Sequence, residues 1–192
     1  MIQLAHREVQ GMEPGDADGA DLALARQGDL VACERLYRRH RTRAQNLARL
    51  MVGSQGDAED VCQDAFVRAF SGLAGFRGEV PFAAWLCRIV VNRCHDLRAR
   101  RRTRRELQLV DDAEEAPAPI AERAAPELRL AIKQALGRIS DGQREVLICH
   151  DVLGMSHEEI GFVMDCAPGT CKAQLHKARL RLRELLGGGE RP

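Results

Sequence analysis

The chain has 192 residues, of which 45% are hydrophobic, 30% charged and only 4% aromatic, and its net charge is +1. That length holds one medium domain or two small ones, and the composition is that of a globular chain rather than a disordered one. No apolar run approaches the roughly 18 residues of a membrane span, and the N-terminus MIQLAHREVQGMEPGDADGAD lacks the basic start and apolar block of a signal peptide, so a cytoplasmic location without membrane insertion is expected.

Residues 1–17 mix Gly, Pro and charge and read as a flexible tail. Helical signals begin with a short segment, Asp21–Arg26, closed by Gly28. Asp29 reads as the N-cap of a longer helix to about Met51, with Leu36, Leu47 and Leu50 facing inward and RLYRRHRTR as its wet, basic stretch. Gly53-Ser54-Gln55-Gly56 reads as a break. The next helix, Asp57–Leu73, carries a wide apolar arc (Ala58, Val61, Cys62, Ala65, Phe66, Ala69, Phe70, Leu73) opposite a stripe of Asp57, Asp60 and Asp64. An arc that wide predicts burial in its own domain plus a surface for a partner. A loop from Gly72 to Val80 leads to Pro81, which suits the first turn of a helix running to about Arg101. Its stripe is Phe82, Leu86, Ile89, Val90 and Leu97; Trp85, Arg88, Asn92 and Asp96 share another face. Arg93 falls inside the apolar stripe and must snorkel or pair with an acid. Six arginines follow between Arg98 and Arg105.

Charge divides the chain in three. Residues 1–105 carry a surplus of +5, residues 106–127 a deficit of −6 and residues 128–192 a surplus of +2. Two mildly basic blocks flanking an acidic connector permit nucleic-acid contact by two modules. The connector, with DDAEEAPAP and no helical period, reads as a flexible linker.

Four helices are predicted beyond it. Glu127–Arg138 is the first. Ser140 with Gln143 predicts a capping box for a helix ending near His150, and Ser156 with Glu159 predicts another for Ser156–Met164. Asp165-Cys166-Ala167 is a tight turn, and Pro168 opens a last helix to Leu186, with Cys171, Leu175, Ala178, Leu182 and Leu185 as its apolar stripe. Helix, short turn and second helix with a polar start form a helix-turn-helix, which presents its second helix to the major groove. Thr170, Lys172, Gln174, His176 and Lys177 lie off the stripe near the helix start, and such side chains donate to base edges and phosphates. An ordinary helical hairpin in a bundle has the same pattern. Likewise, Phe76, Phe82 and Trp85 beside Arg77, Arg88 and Arg93 suit unstacked bases and a charged backbone, yet core aromatics with solvated arginines read the same way.

The seven cysteines make no CxxC pair, and disulfide frameworks are not expected in a cytoplasmic chain. Cys87 and Cys94, seven apart with His95 next to them, admit a metal or redox reading, but small buried apolar residues are the expectation for all of them, with no metal or other cofactor. No Walker loop, GxSxG or HExxH is present, so no enzyme is expected.

The stretch DAEDVCQDAFVRAFSGLAGFRGEVPFAAWLCRIVVNRCHDLRARRR, 57–102, resembles region two of the extracytoplasmic-function subfamily of bacterial RNA polymerase sigma factors. The stretch ALGRISDGQREVLICHDVLGMSHEEIGFVMDCAPGTCKAQLHKARLRLREL, 135–185, resembles their region four, and the order and intervening linker fit. The resemblance implies an all-α chain of two small helical domains: region two at 18–105, a flexible acidic linker at 106–126, region four with its helix-turn-helix at 127–186, and a tail at 187–192. It implies core RNA polymerase and promoter DNA as partners, together with an anti-sigma factor. Asp57, Asp60, Gln63, Asp64 and Arg68 map to polymerase docking. Phe76, Arg77, Phe82, Trp85, Arg88, Asn92, Arg93, Asp96 and Arg98 map to reading and opening the minus-ten element. Gly169, Thr170, Lys172, Ala173, Gln174, His176, Lys177 and Arg179 map to the minus-thirty-five element. The linker acids Asp111, Asp112, Glu114 and Glu115 would imitate RNA phosphate inside the polymerase. Some positions depart from the usual pattern: Asp165 stands where Gly is common, Ala167 for Pro, Cys171 for Val, and Ala173-Gln174 for Ser-Arg. The last two alter which sequence is read. A helix-turn-helix regulator without polymerase docking is the competing reading; it leaves the acidic helix and the aromatic–arginine segment without a role.

Overall fold

The computed structural model describes residues 14–108 and 126–187. Among them are eight α-helices and no strand: α1 (Pro14–Ala25), α2 (Leu30–Val52), α3 (Gln55–Ser71), α4 (Phe82–Gln108), α5 (Pro126–Gly137), α6 (Asp141–Leu147), α7 (His157–Met164) and α8 (Pro168–Gly187). The chain is therefore all-α. Helices α1–α4 pack as one group and α5–α8 as another. The linker acids Asp111, Asp112, Glu114 and Glu115 lie outside the described residues.

The helix starts follow local chemistry. Asp29 caps α2 by accepting from the amides of Val31 and Ala32, and Gly53 closes it in the left-handed region. Ser156 and Glu159 form the expected capping box on α7. Three boundaries differ from the sequence expectation. Ser54 accepts from the Asp57 amide and starts α3 at Gln55, so the break is only two residues long, Gly53 and Ser54. Helix α1 begins at Pro14, inside the stretch expected to be tail. Helix α4 continues to Gln108, carrying the arginine cluster with it.

Two local expectations are corrected. Ser140 stands at the N-cap of α6 but its side chain caps nothing, and α6 stops at Leu147, passing into a π-helical turn at Ile148–Val152. The RLYRRHRTR stretch is not uniformly wet, because Leu36 and His40 are buried and Tyr37 stacks edge-on against Phe66. His40 sits 2.9 Å from Asp18 of α1, and Arg39 bridges Asp18 and Asp21. Burial alone would raise the Asp18 carboxyl, but His40 and Arg39 outweigh it and hold Asp18 below the usual carboxylate range. Thus α1 is fastened to α2 by the Arg39 ion pairs and the Asp18–His40 hydrogen bond as well as by Leu22 and Ala25.

The core is built mainly from Leu, Val, Ile, Ala and Cys, in keeping with the low aromatic content; Leu36, Leu47, Leu86, Val90 and Cys94 fill the first group and Leu136, Ile148, Ile160 and Leu175 the second. The two groups are not independent. Helix α7 packs on α4, and the π turn reaches α2, so the two halves share a face.

Candidate nucleic-acid interface

Helix α3 displays the acidic stripe. Asp60, Gln63, Asp64 and Arg68 are exposed and Asp57 is half-buried. Arginines of α4 lie beside it: Arg93 donates to Asp64 at 2.6 Å and to Asp96 at 2.8 Å, and Arg101 pairs with Asp57. Arg93 thereby escapes the apolar stripe that its spacing predicted. The acids, Arg93, Leu97 and Arg100 line a shallow groove of about 280 Å³ between α3 and α4. Asp60 and Gln63 have no side-chain partner among the described residues, which leaves the middle of the stripe open to a basic or polar ligand.

The aromatic–arginine segment divides into an inner and an outer part. Phe76 and Phe82 are buried, with ring centroids 5.9 Å apart. Trp85 lies over both, 4.9 Å from Phe76 and 5.8 Å from Phe82, and keeps one side accessible. Phe76 and Phe82 therefore build the wall that supports the loop, and Trp85 is the aromatic left to meet a ligand. Arg26 of α2's approach donates to the carbonyls of Leu73 and Phe76 and fixes the loop start. Gly78 turns the loop with φ 77°, a conformation other residues resist. Arg77 is exposed at the tip, and Asn92 and Asp96 are exposed along α4. Gly75, Arg77, Val80, Trp85 and Phe162 enclose a cleft of about 220 Å³.

Phe162 belongs to α7, so the far half of the chain forms one side of that cleft. Arg88 of α4 lies 4.8 Å over the Phe162 ring and 3.4 Å from Asp165. Two to three turns further along α4, His95 and Arg98 both donate at 2.9 Å to Glu145 of α6, which is only 4% exposed. Arg98 also donates to the Met51 carbonyl. The hydrogen bond to Glu145 raises the His95 pKa above its ordinary value, with burial opposing. Nothing in the local sequence marks Glu145, because its partners are some fifty residues away.

The helix-turn-helix is formed by α7 and α8. Asp165 adopts φ 54°, ψ 47°, the left-handed conformation that an aspartate tolerates where glycine is usual. Gly161 is needed for the turn: a Cβ there would stand 2.7 Å from the Cys166 carbonyl oxygen. Cys171, Leu175 and Ala178 anchor α8 in the core, while Leu182 and Leu185 are half-buried. Gly169, Thr170, Lys172, Ala173, His176 and Lys177 are exposed on the outer face of the first turns. Gln174 is half-buried, folded towards Gly142. Arg179 pairs with Asp151 of the π turn, which holds the Asp151 carboxyl below its usual range against the effect of burial.

Five cysteines (Cys62, Cys87, Cys94, Cys149 and Cys171) are buried, matching the core expectation. Burial pushes the Cys94 thiol up to about 12 and Cys62 up to about 11. Cys33 and Cys166 are half-buried.

Comparisons with known proteins match this geometry in both halves. The family described as Sigma-70 region 2 matches residues 36–105, and Sigma-70, region 4 matches residues 129–182. The ECF RNA polymerase sigma factor SigM of Mycobacterium tuberculosis is 36% identical over 89% of this chain and 85% of its own length. The sigma factor CnrH of Cupriavidus metallidurans is 33% identical over 91% of this chain and 97% of its own length. The structure of CnrH with the cytosolic domain of CnrY superposes with TM-score 0.71 and 30% identity, covering 91% of this chain and all of that one. The sigma factor RpoE of Bartonella quintana, solved with the anti-sigma factor NepR, gives TM-score 0.72 and 25% identity, covering 82% of this chain and 98% of that one. These relatives are sigma factors, which are not enzymes. No helix among the described residues is long and apolar enough to cross a membrane.

Proposed function

The chain belongs to the extracytoplasmic-function (ECF) RNA polymerase sigma factors, and from that premise we propose which surfaces perform each step. It is an alternative sigma factor that directs transcription initiation at selected promoters. Asp57, Asp60, Gln63, Asp64 and Arg68 on α3 dock on core polymerase. Trp85, Arg77, Arg88, Asn92, Arg93, Asp96 and Arg98 meet the minus-ten element, with Phe76 and Phe82 as the buried support beneath the loop. The outer face from Gly169 to Arg179 reads the minus-thirty-five element in the major groove. Initiation by this chain needs no catalytic residue of its own, and it acts in the cytoplasm, where polymerase and promoter DNA are. An anti-sigma factor restrains it, as in the complexes that the RpoE and CnrH structures contain.

The observation that carries this reading is the exposed polar start of α8, on the face opposite the buried Cys171, Leu175 and Ala178. A second observation sets the order of events. Elements named for positions ten and thirty-five lie about 25 base pairs apart, or about 85 Å at about 3.4 Å per pair. Helices α4 and α7 touch in this structure. Both elements can be engaged together only after the halves separate, which frees Arg88, His95 and Arg98.

The test is run-off transcription with core polymerase on genomic promoter fragments, with two variants. Reversing Asp60 and Asp64 to Lys should lower core affinity with unchanged helical content. Trp85→Ala should leave upstream duplex binding intact but reduce permanganate reactivity of thymines in the opened element. Normal opening by Trp85→Ala together with unaltered core binding by the reversed stripe would end this assignment.

A further inference from the structure

Cys166 and Cys171 lie in the turn of the helix-turn-helix and in the first turns of α8, with their sulfur atoms 3.0 Å apart. Four residues separate them, Ala167-Pro168-Gly169-Thr170, and these include the whole start of the helix proposed to read DNA. The two thiols differ in access. Cys166 is half-buried at the turn, whereas Cys171 is wholly buried. We propose that this pair is a reversible dithiol–disulfide site, formed by peroxide, whose oxidation displaces the start of α8 and weakens its hold on DNA. The DNA effect rests on the reading of α8 given above; the crosslink itself does not.

The chemistry is balanced by one equivalent of hydrogen peroxide. The Cys166 thiolate attacks a peroxide oxygen, the O–O bond breaks, and a sulfenic acid forms as hydroxide leaves and takes up a proton to become water. The Cys171 sulfur then attacks the Cys166 sulfur, the S–O bond breaks, and the hydroxide leaves with the proton from Cys171 as a second water. Two electrons pass from the two sulfurs to the peroxide. Cys166 is the entry point because it is accessible; the buried Cys171 thiol is held back, pushed up to about 12 mainly by burial. Dithiothreitol reverses the step by exchange.

Closing the bond brings the sulfurs to about 2.05 Å, an approach of about 1 Å. The turn has little slack to supply it from the Cys166 side. The Cys166 amide donates to the Gly161 carbonyl at 3.0 Å, and α7 already meets the Cys166 carbonyl so closely that only a glycine fits at 161. The movement therefore falls on the first turn of α8, where Gly169, Thr170 and Lys172 are exposed. Base contacts depend on donor positions defined to a fraction of an ångström.

The experiment uses the full chain, reduced or treated with equimolar hydrogen peroxide. Peptide mass spectrometry should find Cys166 joined to Cys171 within one chain, and dithiothreitol should undo it. Amide exchange at Gly169–Lys172 should change on oxidation. The probe for DNA is a duplex enriched from a random pool by the reduced chain; oxidation should weaken its binding at least tenfold. Cys171→Val, which keeps an apolar side chain in the core, and Cys166→Ser should both lose the link and the response. Absence of the link, a link elsewhere, or equal affinity in both redox states overturns the proposal. If the reduced chain enriches no duplex, the reading of α8 fails instead, and mass and amide exchange alone decide the crosslink.

Discussion

Helices α4 and α8 are the two proposed DNA readers, and they differ in what their charged side chains face. On α4, Arg88 meets Phe162 and Asp165, Arg93 meets Asp64 and Asp96, and Arg98 meets Glu145. On α8, Thr170, Lys172, His176 and Lys177 face solvent, and pairing begins further along, where Arg179 meets Asp151 and Arg181 meets Glu184 of the same helix. One reader is covered by its own chain and the other is open at its leading turn. The difference teaches that exposure of a binding face is a property of the domain arrangement, not of the helix that carries it.

The strongest way to break this contrast is at Glu145, which joins the halves from a buried position. Hydrogen bonds to a charged group contribute roughly 1.5–3 kcal/mol. Glu145→Ala should shift the halves apart by about tenfold or more in population, seen as a longer distance between fluorophores placed on α3 and α8. An unchanged distance would show that apolar packing of α7 on α4 alone holds the closed form.

The contrast sharpens at α8, where base reading and phosphate contact separate. Gln174→Ala should cost about 1–3 kcal/mol at one base pair of the minus-thirty-five element and alter its preference. Lys177→Ala should weaken all sequences alike and flatten the salt dependence. Equal losses across sequences for both variants would remove Gln174 from base reading; its half-buried position beside Gly142 then suffices as its role.

A smaller effect is expected at Asp165. Asp165→Gly keeps the left-handed turn and removes only an exposed ion pair to Arg88, a contact of under about 1 kcal/mol. The C-terminal fold should be unchanged and the halves slightly looser. Asp165→Ala, by contrast, should strain the turn and lower the thermal midpoint.

The smallest expected effect is that of pH, through His95. Its pKa is raised by Glu145, with Asp141 helping and Arg98 and burial opposing. The sign follows: the contribution of protonated His95 to the closed form is complete below its ordinary value near 6.5 and is lost as pH rises through the raised value. Fluorophore distance should therefore increase modestly between about pH 6 and pH 8, and His95→Gln should abolish the pH dependence while leaving the closed form populated through Arg98.

Much of the local architecture was legible because its causes lie within one or two turns. Asp29 and Ser156 cap helices through their own neighbours, Pro168 opens α8, and the spacing of Cys171, Leu175 and Ala178 fixes the buried face. Arg93 was legible as a conflict needing an acid, and Asp64 supplies it. The same local logic failed at Ser140, whose box residue is present but whose side chain makes no cap bond. It also missed the extent of α4, since an arginine run carries no apolar period to mark where the helix ends.

What the sequence by itself determined is the all-α class and the order of two helical modules, because helical periodicity and capping are short-range; the faces proposed to meet polymerase and DNA follow from the family resemblance of those modules. Only the tertiary structure decided which of those faces are open. Asp18 with His40, Glu145 with His95 and Arg98, and Phe162 beneath Arg88 join residues 22 to 74 positions apart. Such pairs leave no trace in local pattern, because a side chain's energy depends on what surrounds it in space, and burial makes an ionic partner necessary without saying where along the chain it comes from.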